Sequence, residues 1–508
     1  MFLLHKTKLT GQQVRWIAIF LSLIFSLLII AQDEVVNKDG AIYLVVADLI
    51  SQGEWQAAYT LYPWPFFPIL ISFASQVTGL IPEYIAYLLS MFFLTLVVVC
   101  FIDFIRLLGG DVRTQMLAGL VILCLPYFNE SRDEILRDHG YWLLYLVGLR
   151  FLFQHYQAPS LKWGLAWNVA ILMSCFFRME GFVMMAMLPL VLLIKKELML
   201  KQRFVAFAQA NLITLLLLLA GLLLLPWIGD NLGRLTELVG RLVEFWGALT
   251  IGLEQKAEVI RQGVLPTSSE KFALQSVILI LVLLLTLKIL TVLTPIYGVM
   301  LFLPRLYSHL VLPQGFWLFI VWAIFVNLAV LIVFVVPAFF LQARFTMPLV
   351  LTTLLLVPFL LNEACSFWQQ KKDEGLRPRL FPATMVVVML MGADGLISFG
   401  GDSKQYLRDA AEWVQANAKA GNKIATTESL RFCYYINRDV PFDHSYICQH
   451  GVTPQRNMMH DYFLFYAKKG TEAPAAWVDA LEQAHFAEVQ RFENRGNDSI
   501  VIYQRSQQ

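Results

Sequence analysis

Several short stretches of this sequence set ionisable side chains against apolar runs. NESRDEILRDHG, residues 129–140, carries Asp133, Glu134, Arg137, Asp138 and His139 within seven positions. FFRMEGF places Arg178 two residues before Glu180, LQARFTMP contains Arg344, and Asp39 stands just ahead of the apolar run AIYLVVADLI. Charged groups at the edge of hydrocarbon are unfavourable unless they have partners or a task. A carboxylate there can accept a proton from an attacking nucleophile, and an arginine, charged at any working pH, can hold a phosphate through two parallel hydrogen bonds. Each also has a plainer use. Asp39 can cap a helix, Arg344 can snorkel to a helix end, Arg178 and Glu180 can pair in a tight turn, and His139 can rest in the membrane interface.

The elements that must position these groups are dictated by hydrophobicity. Apolar residues make up 58% of the 508 and charged residues only 15%, which excludes an ordinary soluble globular protein. A bilayer-crossing helix needs about 20 mostly apolar residues, so about eleven spans are predicted. They lie near 15–31, 83–107, 114–128, 141–155, 164–178, 181–194, 205–228, 272–303, 315–337, 345–362 and 381–398. Lys288 and Pro295 interrupt the eighth, which is long enough for a kinked helix. Basic residues in short loops are retained in the cytoplasm. Lys6, Lys8 and Arg15, then Arg106 and Arg113, then Lys195, Lys196, Lys201 and Arg203, then Arg305, and last Lys371, Lys372, Arg377 and Arg379 fall on one side of this pattern. The N-terminus is therefore expected inside and the C-terminal tail outside. No A-x-A-like cleavage site follows the first apolar run, which reads as a retained anchor.

Three segments are expected on the non-cytoplasmic side. In the first, from Gln32 to about Pro82, Ile42, Val45, Val46, Leu49 and Ile50 recur at helical spacing and predict an interfacial amphipathic helix with Asp39 just before its first turn. The second is the charged 129–140 stretch. The third, from about Gly229 to Lys271, sets Leu235, Leu238, Leu242, Phe245, Trp246 and Leu249 on one stripe, with Arg234, Glu237, Arg241 and Glu244 off it. Beyond about Gly400 the composition changes to that of a small α/β domain. SKQYLRDAAEWVQANAKAG predicts a helix capped by Ser403 and stopped at Gly421, while KIATTE, FCYYI and SIVIYQR read as strands, the last after a hairpin turn at ENRGND. This gives a transmembrane domain over 1–399 and an external domain over 400–508. Of the six cysteines, Cys100, Cys124, Cys175 and Cys365 fall in or beside apolar runs and read as buried thiols. Cys433 and Cys448, both in the external domain, either pair in an oxidising compartment or stay apart.

In its order of motifs the chain resembles the polyprenyl-phosphate-sugar-dependent glycosyltransferases of the GT-C superfamily, particularly bacterial relatives of protein O-mannosyltransferases and aminoarabinose transferases. The resemblance rests on Asp39 followed by IYLVVADLISQGEW, the Tyr-Pro-rich YPWPFFP that includes Tyr62, the charged RDEILRDHG, R-x-E-G from Arg178 to Gly181, R-F-x-x-P from Arg344 to Pro348, and the tail YLRDAAEWVQAN. It spans nearly the whole chain. Many members carry paired acids in the first loop, whereas here Gly40 follows Asp39 and the Asp-Glu pair occurs earlier as Asp33-Glu34. The resemblance implies a GT-C-like membrane protein with interfacial helices in its first external loop, sited in a bacterial inner membrane. It implies sugar transfer from a polyprenyl-phosphate donor to a lipid, glycan or protein acceptor. Asp39 is then the expected base, with Asp138 or Glu134 positioning the acceptor, Arg344, Arg178 and Arg137 holding the phosphate, and Glu180, His139 and Tyr62 as further candidates.

A transporter or flippase, or an assembly subunit, would also have many spans and boundary charges. Against a transporter, the chain shows no evident inverted repeat, few ionisable residues at mid-membrane depth apart from Lys288, and no matched pair of broken helices. No Gly-rich phosphate loop, His/Cys metal constellation or Ser-His-Asp arrangement stands out, although the loop acids are compatible with a divalent metal. A formal net charge of +2 gives no reason to expect a nucleic-acid partner. The orientation is directly testable. In a background lacking native cysteines, an impermeant thiol reagent should label Leu235→Cys and Gln490→Cys in intact cells, and Glu374→Cys only after permeabilisation. External labelling at 374 would invert the assignment.

Overall fold

The computed structural model describes residues 9–32, 35–228, 235–373, 380–394, 396, 403–419, 421–438, 447–455, 458–469, 471 and 473–506. Asp33, Glu34, Lys6, Lys8, Arg234, Arg377 and Arg379 lie outside them. The chain is predominantly helical and divides into two compact units. One comprises Met1–Phe25, Met91–Ser131 and Arg137–Leu396, the other Ser26–Ser90, Arg132–Leu136 and Ile397–Gln508.

Four of the described helices are long and apolar enough to cross a bilayer, namely Gly11–Ile30, Pro82–Leu107, Thr267–Leu293 and Phe316–Ala338. Two further pairs reach that length only across a bend, Leu200–Ala210 with Leu212–Gly221 at 65° and Ala343–Leu354 with Val357–Lys371 at 47°. Several apolar runs in between form shorter helices. Val112–Leu123 has 12 residues and Leu161–Phe177 has 17, while Glu180–Met187 passes into a 3-10 turn over Leu188–Leu192 that contains Pro189. The kink expected at Pro295 is a full break. The helix over Ala273–Leu293 stops at Thr294, which takes φ 71°, and a second helix runs over Pro295–Leu301. Proline disfavours the helical conformation in the residue before it, and the Thr294 hydroxyl accepts the Tyr297 N–H at 3.5 Å to begin the new helix.

The first unit is built round Asp138–Gln157 packed along Leu161–Phe177. Trp142, Tyr145, Leu149, Phe153 and Trp167 are buried between these helices and their neighbours. Some polar groups in this interior pair across helices. The Tyr145 hydroxyl lies 2.6 Å from Thr352 Oγ1 and accepts the Asn327 amide at 2.7 Å, which ties Asp138–Gln157 to Ala343–Leu354 and Phe316–Ala338. At the N-terminal helix, Arg15 pairs with Asp103 at 3.3 Å and Thr95 donates to Ser22 at 3.2 Å. Such links fix helix–helix register where hydrophobicity alone does not. The predicted stripe near residue 242 is a helix over Leu235–Gly247, with Leu242 and Trp246 exposed and Phe245 packed on the cluster that includes Leu331 and Val335.

In the second unit, the helix expected in the first long segment is present over Lys38–Ser51. Gly40, Ala41, Tyr43, Leu44, Val46, Ala47 and Ile50 are buried, because Phe66–Thr78 covers one side and Leu430–Asn437 another. The helix begins at Lys38, two residues earlier than predicted, so Asp39 sits within its first turn and Asn37 holds the N-cap position. The C-terminal segment forms a five-stranded sheet in the order β2-β1-β3-β5-β4, where β1 is Lys423–Thr426, β2 Ile447–His450, β3 Tyr462–Ala467, β4 Phe486–Glu493 and β5 Ser499–Arg505. β1 runs parallel to β2 and β3, and β5 antiparallel to β3 and β4. The expected helix is present over Gln405–Asn417, and Gly421 takes φ 82° beyond it. The hairpin turn is present too, with the Asn494 N–H donating to the Asp498 carbonyl at 3.0 Å.

FCYYI is not a strand. It lies in the helix Leu430–Asn437, which buries Arg431, Phe432, Cys433, Tyr435 and Ile436 on one side, a spacing that a short aromatic run cannot distinguish from a strand by composition. Cys433 and Cys448 are joined in a disulfide with a Cα–Cα distance of 5.6 Å, which staples this helix to β2. The pair is separated by 15 residues, and closing a loop of that size stabilises a fold by about 3 kcal/mol. Cys433→Ser should therefore lower the urea midpoint for proteolysis of the C-terminal sheet in the detergent-solubilised protein, and reductant should do the same to the wild type. An unchanged midpoint in both would deny the bond any stabilising role.

Candidate functional site

The charged motifs at 129–140 and 178–181 meet through the packing of two helices. Asp138 is the first residue of Asp138–Gln157, and Arg178 follows directly on Leu161–Phe177 in extended backbone. Gly140 lets these helices approach closely, since a Cβ built there would lie 2.3 Å from Phe177 Cε1. Gly181 acts similarly on the other side. A Cβ there would lie 2.7 Å from Ser174 Oγ and 2.9 Å from the Cys175 nitrogen, so glycine lets the helix beginning at Glu180 fold back against Leu161–Phe177.

The result is a buried ionic cluster centred on Arg178. Its Nη1 donates to Asp138 Oδ1, its Nη2 to Glu180 Oε1, and its Nε to Glu180 Oε2 at 3.1 Å. The side chains of Arg178 and Asp138 are 7% and 1% exposed, whereas Glu180 keeps 28% of its surface. Arg344, in the first turn of Ala343–Leu354, and Arg137 add their fields to that of Arg178 at the Asp138 carboxylate. Arg137 also acts on Glu180. The Phe345 ring packs under both Arg178, at 4.4 Å from its guanidinium carbon, and Arg344, at 5.5 Å. Such contacts favour a cation over a ring face.

Three of the expected residues, Asp138, Arg178 and Glu180, are in direct contact, and Arg344 and Arg137 lie within electrostatic reach. His139 is fully buried and packs edge-on against Trp142 at 5.1 Å between ring centres. Asp39, Tyr62 and Glu134 belong to the second unit. Asp39 is half-buried, and the Tyr62 ring stands edge-on to Tyr43 at 5.3 Å. Tyr141 was not singled out by the sequence. It follows Asp138 by three residues on the same helix face, its ring lies 5.9 Å from the Arg178 guanidinium carbon, and its buried hydroxyl has no hydrogen-bond partner among the described residues. The same holds for the buried Asp138 Oδ2. The i, i+3 relation to a carboxylate was the available signal. As for a metal, Asp138 and Glu180 direct oxygens at Arg178, and no group of three or more His, Cys, Asp or Glu side chains among the described residues is placed to hold an ion.

No protein-family model matches the sequence, and no curated protein matches it. Solved structures do. ArnT from Cupriavidus metallidurans bound to undecaprenyl phosphate superposes with a TM-score of 0.55 at 12% identity, covering 97% of this chain and 97% of that one. The archaeal oligosaccharyltransferase AglB from Archaeoglobus fulgidus, in complex with an inhibitory peptide and a dolichol-phosphate, gives a TM-score of 0.50 at 12% identity over 98% of this chain and 74% of its own. Sequence identity this low speaks for architecture. The chain therefore shares the fold of these membrane proteins, and it ends in a small five-stranded sheet domain.

Proposed function

We propose that the protein is a membrane glycosyltransferase that transfers a sugar from a polyprenyl-phosphate donor to an acceptor on the non-cytoplasmic face of a bacterial inner membrane. The observation that carries this reading is the cluster of Arg178, Asp138 and Glu180, with Arg344 and Arg137 in its field, within a fold shared with a protein whose structure holds undecaprenyl phosphate. Arg344 and Arg137 bring positive charge to bear on the carboxylates that Arg178 binds. That is the sign required where a phosphate leaves a sugar.

In the proposed reaction the acceptor's oxygen or nitrogen forms a bond to the anomeric carbon as the bond from that carbon to the phosphate oxygen breaks. The phosphate departs with the bonding electron pair, and the acceptor's proton passes to Asp39. Asp138 or Glu134 helps to place the acceptor. Arg178 has three donor contacts committed to carboxylates, so within this scheme it contributes charge and rigidity, while Arg344 and Arg137 address the phosphate. The N-terminus lies in the cytoplasm and the C-terminal domain outside, in keeping with the distribution of Lys and Arg. The polyprenyl chain needs only an apolar surface between helices.

The activity itself is tested by incubating detergent-purified protein with undecaprenyl-phosphate hexoses and pentoses and measuring free undecaprenyl phosphate, which a transporter or scaffold would not release. Asp39→Asn keeps the size of the side chain but removes its basicity, so turnover should be abolished with thermal stability near that of the wild type. Activity within a few-fold of wild type would exclude Asp39, and loss confined to Asp33→Asn or Glu34→Gln would move the role to that pair.

Removing Arg178 would leave two carboxylates without their cation, and breaking a buried pair costs about 3–5 kcal/mol, so that variant confounds folding with catalysis. Arg344 is the cleaner probe, being only partly buried. Arg344→Ala should lose turnover by on the order of 10²-fold, as for a lost charge-stabilising donor, with a smaller fall in donor affinity. Arg344→Lys should keep part of the activity because it retains charge without the planar fork. Unchanged kinetics in a folded Arg344→Ala protein would reduce this residue to a membrane anchor.

A further inference from the structure

The second unit contains a link between its two ends of chain that the proposed chemistry does not use. The backbone N–H of Val36 donates to the hydroxyl of Tyr435, 399 residues away, at 2.7 Å. Val36 is 1% exposed and Tyr435 6%, so water is a poor substitute as acceptor. Val36 lies three residues before Asp39, at the start of Lys38–Ser51, where no side chain caps the helix. The next residue, Asn37, is locked as well. Its Oδ1 accepts the Ile135 N–H at 3.0 Å and its Nδ2 donates to the Ile135 carbonyl at 3.4 Å. Gly40 closes the turn, since a Cβ there would sit 2.9 Å from Ile135 Cβ and 2.8 Å from Val36 Cγ1.

Tyr435 is itself rigidly held. Its helix, Leu430–Asn437, is stapled to β2 by the Cys433–Cys448 disulfide. The neighbouring Tyr434 hydroxyl donates to Glu83 Oε2 at 2.7 Å, and Arg438 reaches the same oxygen at 3.2 Å. Burial first, and then the Glu83 carboxylate, push the Tyr434 hydroxyl far above its ordinary range, so it remains a donor at any working pH. Glu428, 1% exposed, is bound by Arg431 at 2.8 Å and stands 3.9 Å from Lys38 Nζ, in the first turn of the Asp39 helix.

We propose that Tyr435 is a positioning residue for Asp39. By accepting the Val36 N–H, it fixes where the first turn of Lys38–Ser51 begins and thus where the carboxylate of Asp39 points. This rests on Asp39 being the base. Misplacing a catalytic group by about 1 Å can reduce a rate by about 10²-fold with little effect on binding, which is the signature sought.

The test uses full-length protein in detergent and Tyr435→Phe, which keeps the buried ring and removes the acceptor. Amide exchange needs no ligand. Exchange over residues 35–41 should quicken by about tenfold or more, with β3 and β5 as protected as in the wild type. Unchanged protection at 35–41, or lost protection throughout the sheet, overturns the local role.

Kinetics then address the coupling, using whichever undecaprenyl-phosphate hexose or pentose the wild type turns over fastest. Tyr435→Phe should lower kcat by about tenfold or more and leave the donor KM within about twofold. In an Asp39→Glu background, which keeps the base but already displaces its carboxylate, the same change should lower turnover by less than about twofold, because residues acting as one unit are not additive. Equal losses in the two backgrounds, or a wild-type kcat in the single variant, overturn the inference while leaving the base in place. Wild-type turnover in Asp39→Asn alone removes the base, and with it this role for Tyr435.

Discussion

The guanidinium of Arg178 is the constraint from which the first unit's polar architecture follows. Two carboxylates cannot be held in a protein interior beside apolar helices without a cation, because the loss of hydration far exceeds what neutral neighbours return. Arg178 supplies that cation through a planar fork that a lysine could not offer, binding Glu180 with two nitrogens and Asp138 with a third. The helix ends carrying these residues must converge on it, so the ion cluster and the helix packing specify each other. Because one Asp138 oxygen has no hydrogen-bond partner among the described residues, the cluster retains an acceptor beyond those that Arg178 satisfies.

The second unit solves a different problem. A helix that is apolar almost all round needs cover on more than one side. The segment Lys38–Ser51 finds it in Phe66–Thr78 and in Leu430–Asn437, so two stretches far apart in sequence pack into one unit. Glu83, Glu428, Arg431 and Arg438 make the polar fastenings of that unit.

Much of the architecture was legible because hydrophobic length is a strong signal. The apolar runs, the helix of the C-terminal domain and the hairpin at ENRGND all follow from period, caps and turn residues. What escaped were features set by tertiary context. FCYYI reads as a strand on composition, yet its aromatic residues serve opposite purposes, with Tyr435 and Phe432 buried and Tyr434 turned to Glu83. Asp39 was placed one residue outside a helix that in fact includes it, which is the ordinary uncertainty of a helix end without a side-chain cap. At the candidate site the residue types were visible but their company was not. Asp138 and Arg178 are 40 positions apart in two motifs that give no hint of contact, and β2 and β3 carry too little alternation to announce themselves.

Gly140 and Phe177 form a volume-matched couple, one supplying the void that the other's ring fills. Helix axes set by such a couple cannot drift independently. Enlarging residue 140 without shrinking residue 177 would push the two helix ends apart and leave Asp138 and Arg178 charged and separated in a medium that tolerates neither. Over evolutionary time, change at either position would have to pass through a compensating partner, so the hydrocarbon packing acts as the keeper of the electrostatics beside it.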